Sequence, residues 1–391
     1  MIALKVSKHK TGPVINRHPW VFSGALEDIP DNLKPGAPVK LVTSSGNYLA
    51  GGYFNSYSQI AVRVWGYDEH EEVDRDFFVR RVMRAYEIRK RYVESPETDS
   101  YRLINGESDF LPGFIADKYG SHLVIQCHTR GIEFWRDAVV NALIEVMKPA
   151  GIYEKSETPS RKIEGMEYRS GLLYGTVPDL VTIRENGFNF LVDIKQGQKT
   201  GFYLDQRDKR HALLKYSRDK AVLNCFSYTG GFSVYALKGG AQRVISVDAS
   251  SPALELAKEN IKLNKLDIGK CEFVSEDVKK YLKNVPAADF NLIILDPPAF
   301  IKDRRKKKEG LIGYRTINEM ALKILPEDGT LLTCSCSAHL SLQDFRYLLT
   351  EAGGRMRKSL RILETYTHGT DHAVSAPFLE GEYLKCFFLS L

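Results

Sequence analysis

The chain has 391 residues, 43% of them hydrophobic and 27% charged. This excludes a disordered or fibrous protein and is too long for one ordinary domain. The net charge of +6 permits a polyanionic partner without requiring one. Met1-Ile2-Ala3-Leu4-Lys5 lacks the apolar core of a signal peptide, and no apolar run is long enough to span a bilayer. A cytoplasmic protein with no membrane partner and reduced thiols is expected. The six cysteines show no C-x-x-C spacing and no histidine cluster completes a zinc set, so no metal is expected.

Residues 1–72 read as a β-rich module, with strand runs at Pro38–Thr43 and Gln59–Trp65 separated by Ser/Gly/Asn turns. Its edge strands could pair two protomers, so a homodimer is possible. From Asp74 to Tyr92 a helical stripe of Phe77, Val82, Ala85 and Ile88 is set among Arg80, Arg81, Arg84, Arg89, Lys90 and Arg91. That basic helix is either a solvated face or a contact for an RNA backbone. Residues 73–195 read as a small α+β middle domain, with strands at His122–Cys127 and Phe188–Asp193 and an amphipathic helix over Ile132–Met147.

Residues 196–391 alternate apolar strands with helices. Strands are expected at Ala221–Phe226, Arg243–Asp248, Cys271–Val274, Phe290–Asp296 and Gly329–Ser335, with Glu382–Leu391 closing the sheet. The pattern predicts an α/β fold around a mostly parallel, doubly wound, Rossmann-like sheet. Ligands of such a sheet sit at the carboxyl ends of its strands. The first strand leads into Phe226-Ser227-Tyr228-Thr229-Gly230-Gly231, where glycine permits close approach of backbone to a ligand. This is not G-x-G-x-x-G, which disfavours a dinucleotide. Asp248, ending the second strand, is placed to accept both hydroxyls of a ribose, and Glu276-Asp277 to meet an adenine. Each acid alone could equally be a loop carboxylate or a helix cap.

Taken with Arg17-His18-Pro19-Trp20-Val21-Phe22-Ser23-Gly24, Asn105-Gly106-Glu107-Ser108-Asp109, Leu111-Pro112-Gly113 and Lys199-Thr200-Gly201-Phe202-Tyr203-Leu204-Asp205-Gln206-Arg207, this order of motifs resembles one family along the whole chain. These are the class I S-adenosylmethionine-dependent methyltransferases that act on cytosine C5 of large-subunit ribosomal RNA and carry an N-terminal PUA domain. The resemblance implies S-adenosylmethionine as cofactor. It implies a cofactor wall built from Gln206, Arg207, Phe226, Tyr228, Thr229, Gly230, Asp248, Asp277 and Asp296. It implies ribosomal RNA, naked or partly assembled, as partner.

C5 of cytosine is a poor nucleophile. A thiolate adding at C6 gives C5 enamine character, and C5 can then take the methyl group. Cys334 and Cys336 compete for this role. The fifth strand should end near Ser335, which leaves Cys336 in the loop at the ligand edge and Cys334 packed beneath. The family's Ser-Cys-Ser signature also falls on Cys336. Asp296 would hold the cytosine at N3 or the exocyclic amine. The fourth-strand motif of the better-known cytosine-C5 RNA enzymes carries a second cysteine for product release, whereas here it reads Asp296-Pro297-Pro298. Amine-methylating enzymes of this architecture carry a similar motif but need no thiol. A silent RNA-binding assembly factor is the remaining alternative.

Phe300 is either a stacking platform for the target base or a plug beneath the loop. Lys302, Arg304, Arg305, Lys306 and Lys307 form a basic loop next to this motif, expected to track phosphates. His372 and Tyr383 also match family positions, without an assignable role.

Overall fold

A computed structural model describes residues 1–391, which divide into two compact units. The first comprises Met1–Arg184, Val192–Leu204 and Thr370–Gly381. Its N-terminal sheet has six strands in the order Trp20–Phe22, Ile60–Gly66, Tyr48–Phe54, Pro38–Thr43, Ile2–Val6, Leu26–Glu27. Alternating residues such as Leu4, Val6, Val39, Leu41, Val62 and Val64 fill its core. Both edge strands are short, of three and two residues, a device that discourages edge-to-edge pairing.

The basic helix forms over Arg75–Tyr92, and Asp74 caps it by accepting from the Phe77 N–H at 2.8 Å. Its stripe is shifted from the expected one: Phe78 enters the core while Ile88 is exposed. Two of its arginines are structural. Arg89 is buried and donates both Nη atoms to Asp109 at 2.6 and 2.7 Å. Arg81 is held by Glu71 and the Trp65 carbonyl. Arg80, Arg84, Lys90 and Arg91 remain exposed.

A five-stranded sheet follows, ordered Arg169–Gly175, Gly151–Ser156, His122–Cys127, Phe114–Tyr119, Tyr101–Asn105. Tyr53 and Trp65 of the N-terminal module share one core with Phe77, Phe78, Leu103 and Phe114. Arg63 bridges Glu107 and Glu164 at 3.0 Å each. This is why the first two segments pack as one unit. His372 lies here too, buried beside Asp371 at 3.1 Å.

The second unit comprises Glu185–Leu191, Asp205–Gly369 and Glu382–Leu391. Its strands are β1 (Ala221–Cys225), β2 (Arg243–Asp248), β3 (Cys271–Ser275), β4 (Leu292–Leu295), β5 (Thr330–Ser335), β6 (Arg361–Tyr366) and β7 (Lys385–Ser390). Its principal helices are α1 (Arg207–Tyr216), α2 (Gly231–Lys238), α3 (Ser251–Leu263), α4 (Val278–Asn284), α5 (Lys307–Ile324) and α6 (Leu342–Met356). The sheet order is β3-β2-β1-β4-β5-β7-β6. The first five strands are parallel, and β7 runs antiparallel to both neighbours.

The last strand was expected to close the sheet, but it lies inside. A run buried at Lys385 through Leu389 needs cover on both edges and both faces. The mostly exposed strand Arg361–Tyr366, which has no comparable apolar signal, forms the edge instead. No helix is long and apolar enough to cross a membrane.

Candidate active site

Strand order reverses beside β1, which pairs with β2 on one side and β4 on the other. This is the position where an open parallel sheet leaves a crevice at its carboxyl edge. The β1–α2 loop is tightly wound: Phe226, Tyr228 and Gly230 have φ of 60°, 46° and 75°. Two of the three are not glycine, a backbone arrangement that accumulates at functional sites. Gly230 also has a packing reason. A Cβ there would stand 2.8 Å from the Ala257 Cβ of α3, so the glycine lets the start of α2 meet α3.

Asp248 is fixed by two backbone donors. Its Oδ2 accepts from the Tyr228 N–H and its Oδ1 from the Ser250 N–H, both at 2.9 Å. Each carboxylate oxygen can accept again, so the pair fits a ribose diol. Buried Asn260 holds the Thr229 carbonyl at 2.9 Å. Two hydroxyls of the loop, Ser227 Oγ and Thr229 Oγ1, are buried without a hydrogen-bond partner in the protein. Orphaned hydroxyls beside a fixed carboxylate fit a polar, hydroxyl-bearing cofactor. Asp277 is exposed and caps α4 by accepting from the Lys280 N–H at 2.9 Å, while Glu276 pairs with Lys280. The cap alternative therefore describes one oxygen of Asp277.

The Lys199–Arg207 string divides between the units after Leu204. In the first unit, Thr200 donates to Asp117 at 2.6 Å. In the second, Asp205-Gln206-Arg207 leads into α1, all three buried. The Gln206 amide donates to Asp296 Oδ1 at 2.8 Å, and its Oε1 lies 3.8 Å from Cys386 Sγ. The side chain expected in the cofactor wall is thus hydrogen-bonded to the fourth-strand acid. Tyr383 donates to Asp205 Oδ2 at 2.7 Å and stacks edgewise on His368. It therefore belongs to the support of this segment.

Strand β5 ends at Ser335. Cys334 is buried opposite Cys386, and burial pushes its thiol well above the usual range. Cys336 is half-buried in the following loop, with Sγ 3.7 Å from the Pro297 carbonyl. Ser335 and Ser337 are fully buried and structural. Ser337 Oγ accepts from the Ile301 N–H at 3.1 Å and meets the Tyr314 hydroxyl at 2.9 Å, tying the β4 and β5 loops together.

Phe300 packs 4.7 Å from Tyr314 and against Gly313, partly buried at the margin of this unit's core cluster. One side of the ring is therefore packed, as in the plug alternative.

The basic run is only partly a loop. Asp303 caps a short helical turn at Arg304–Lys306, and Lys307 begins α5. Arg305 is ion-paired with Asp303, and Lys307 with Asp344. Lys302, Arg304, Lys306 and Lys308 stay exposed.

Sequence reasoning missed Tyr314 and, above all, Lys385. The signal for Lys385 was a lone lysine opening the apolar run Cys386–Leu389.

A parallel sheet in this order, with an acid ending its second strand and an acid-Pro-Pro turn ending its fourth, defines a class I methyltransferase. The chain belongs to the family of S-adenosylmethionine-dependent methyltransferases, which it matches over residues 165–377, and it carries a PUA-like domain over residues 4–66. It is 43% identical to a ribosomal RNA large subunit methyltransferase I of Cronobacter sakazakii, over 99% of this chain and 98% of that protein. It is 26% identical to a solved chain from Streptococcus mutans described as a SAM-dependent methyltransferase, covering 100% of both with a TM-score of 0.85. A methyltransferase structure complexed with SAH aligns equally completely, with a TM-score of 0.86 and 26% identity. S-adenosylmethionine is the cofactor.

Proposed function

We propose that this chain methylates C5 of a cytosine in large-subunit ribosomal RNA, through a transient bond between Cys336 Sγ and C6. The observation that carries this reading is the place of Cys336: a half-buried thiol at the carboxyl end of β5, 3.7 Å from the Pro297 carbonyl of the fourth-strand turn. Cys334 is a packed core thiol. S-adenosylmethionine supplies the methyl group.

Loss of the C5 proton to a base or to water then breaks the Cys336–C6 bond, returns the thiolate and restores the ring. Asp296, kept as an acceptor by Gln206, takes a hydrogen bond from the cytosine amine, since an ionised carboxylate only accepts. The Pro-Pro turn stiffens that contact. Lys302, Arg304, Lys306 and Lys308 crowd the start of α5, where positive charge is unfavourable against the helix dipole. An RNA phosphate would offset that cost. The exposed arginines of Arg75–Tyr92 supply a second such surface. The ribosomal RNA substrate rests on the names of the full-length relatives.

An Asp296 that accepts from an amine would also suit methylation of that amine, with no thiol required. Transfer from labelled S-adenosylmethionine to unmodified ribosomal RNA, with the product nucleoside identified, separates the readings. The expected result is 5-methylcytidine, lost in Cys336→Ala and kept in Cys334→Ala. An N-methylated base, or full activity in Cys336→Ala, refutes the thiol mechanism. Absence of any product would favour a silent assembly factor.

A further inference from the structure

Lys385 is 3% exposed. A buried ammonium is costly unless a partner offsets it. Its Nζ donates to the Ser337 carbonyl at 2.8 Å, a neutral acceptor rather than a carboxylate. Strand register explains the position. Cys334 faces Cys386 across β5 and β7, and Ser335 faces Lys385. Neighbouring residues on a strand point to opposite faces, so Lys385 leaves the Cys334–Cys386 face and reaches the side of Tyr314. The carbonyl it binds belongs to the residue directly after Cys336. The ammonium therefore lies under the loop that presents the sulfur.

The Cys336 thiol also needs such a charge. The Pro297 carbonyl at 3.7 Å is positioned to accept from S–H and would repel a thiolate. That contact favours the unreactive form, and nucleophilic addition needs the other.

We propose that Lys385 is a positioning residue of the methyl-transfer reaction, acting through Cys336, whose sulfur it holds as the thiolate. The proposal rests on Cys336 being the nucleophile. The S–H bond breaks with both electrons kept by sulfur, and the proton leaves to solvent. The buried ammonium then faces an anion instead of a carbonyl alone.

The balance of charges agrees. Burial lowers the Lys385 pKa to about 8, and Cys336 is the foremost influence raising it, ahead of Cys386 and Glu382. An ammonium at this place would favour the thiolate in turn. The other titratable and charged groups here are Tyr314 on α5, raised by burial and then by Cys336; Cys334 on β5, raised by burial and opposed by the ammonium of Lys209 on α1, which donates to the Asp205 carbonyl; and Asp296 at the β4 turn, whose carboxylate is bound by Gln206. Of these two cations, Lys385 acts on Cys336 and Lys209 on Cys334.

The test is the pH dependence of iodoacetamide alkylation of Cys336 in the full-length protein, followed by mass spectrometry of the Cys336 peptide. Wild type should show an inflection below the ordinary thiol value of about 8.5. Lys385→Met should raise it by about one to three pH units and slow alkylation at neutral pH by about tenfold or more. Lys385→Arg, which keeps the charge, should stay near wild type. A Met variant titrating like wild type overturns the proposal. If the Met variant does not fold, the wild-type curve decides, because an inflection at or above about 8.5 overturns it equally. Failure of the underlying reading has a separate signature: Cys336→Ala would still form 5-methylcytidine, whatever the alkylation curves show.

Discussion

Replacing Gln206 by leucine removes the amide that donates to Asp296 at 2.8 Å while keeping a similar volume at a site only 2% exposed. A hydrogen bond to a charged acceptor contributes about 1.5–3 kcal/mol. If that bond holds Asp296 in its working orientation, its loss should slow methyl transfer roughly 10- to 150-fold, at about 1.4 kcal/mol per tenfold. The contact of Gln206 Oε1 with Cys386, at 3.8 Å, is long and adds little. The assay is single-turnover transfer to ribosomal RNA, beside calorimetric measurement of S-adenosylmethionine affinity. The expected pattern is a slower rate with cofactor affinity nearly unchanged. A rate within about threefold of wild type, in a folded protein, refutes the orienting role. Affinity falling in step with rate would return Gln206 to the cofactor wall. Gln206→Glu sharpens the test, because two carboxylates at that distance cannot both ionise easily. Its rate profile should gain an inflection displaced above the ordinary carboxylate range.

Gly230→Ala should cost about 2–4 kcal/mol in urea unfolding, combining left-handed backbone strain with overpacking against Ala257. Gly187→Ala, with a φ of +80° but nothing within 4 Å, should cost only the strain, about 1–2 kcal/mol. Neutralising Lys302, Arg304, Lys306 and Lys308 together should flatten the salt dependence of RNA binding by about three in the log–log slope and leave cofactor affinity alone. Arg305→Ala should do far less, since Asp303 already pairs with that charge. His128 is held neutral by burial and then by Arg102, Arg161 and Arg63, which lower its pKa from 6.5 to about 4. The unfolded chain binds the proton first, so stability present above pH 6.5 should decline as pH falls toward 4. The loss should be about 1–3 kcal/mol, and His128→Gln should remove most of that slope.

Much of the methyltransferase unit was legible because parallel strands buried on both faces read as uninterrupted apolar runs. The runs at Ala221–Cys225 and Thr330–Ser335 matched expectation to within a residue. So did the end of β5 before Cys336, because the same apolar run stops there. The acid-bearing strand ends followed from topology alone. An exposed edge strand such as Arg361–Tyr366 has no burial pattern to read, and it was missed.

Charge was legible in amount but not in use. Sequence left Arg81 and Arg89 between a solvated face and RNA contact and assigned Arg305 and Lys307 to RNA, and folding gave each of the four an acidic partner. Pairing depends on residues distant along the chain, such as Asp344 for Lys307. The same limit hid the work of Gln206 and Lys385. Local pattern, propensity and strand ends are short-range properties, and sequence alone determined the five parallel strands, their loops and the loop thiol after β5. Only the tertiary structure decided that Gln206 reaches Asp296, 90 residues away, and that Lys385 reaches the carbonyl of Ser337, the residue after Cys336. The strength of hydrogen bonds and buried charges depends on distance and desolvation, and neither exists until the chain has packed.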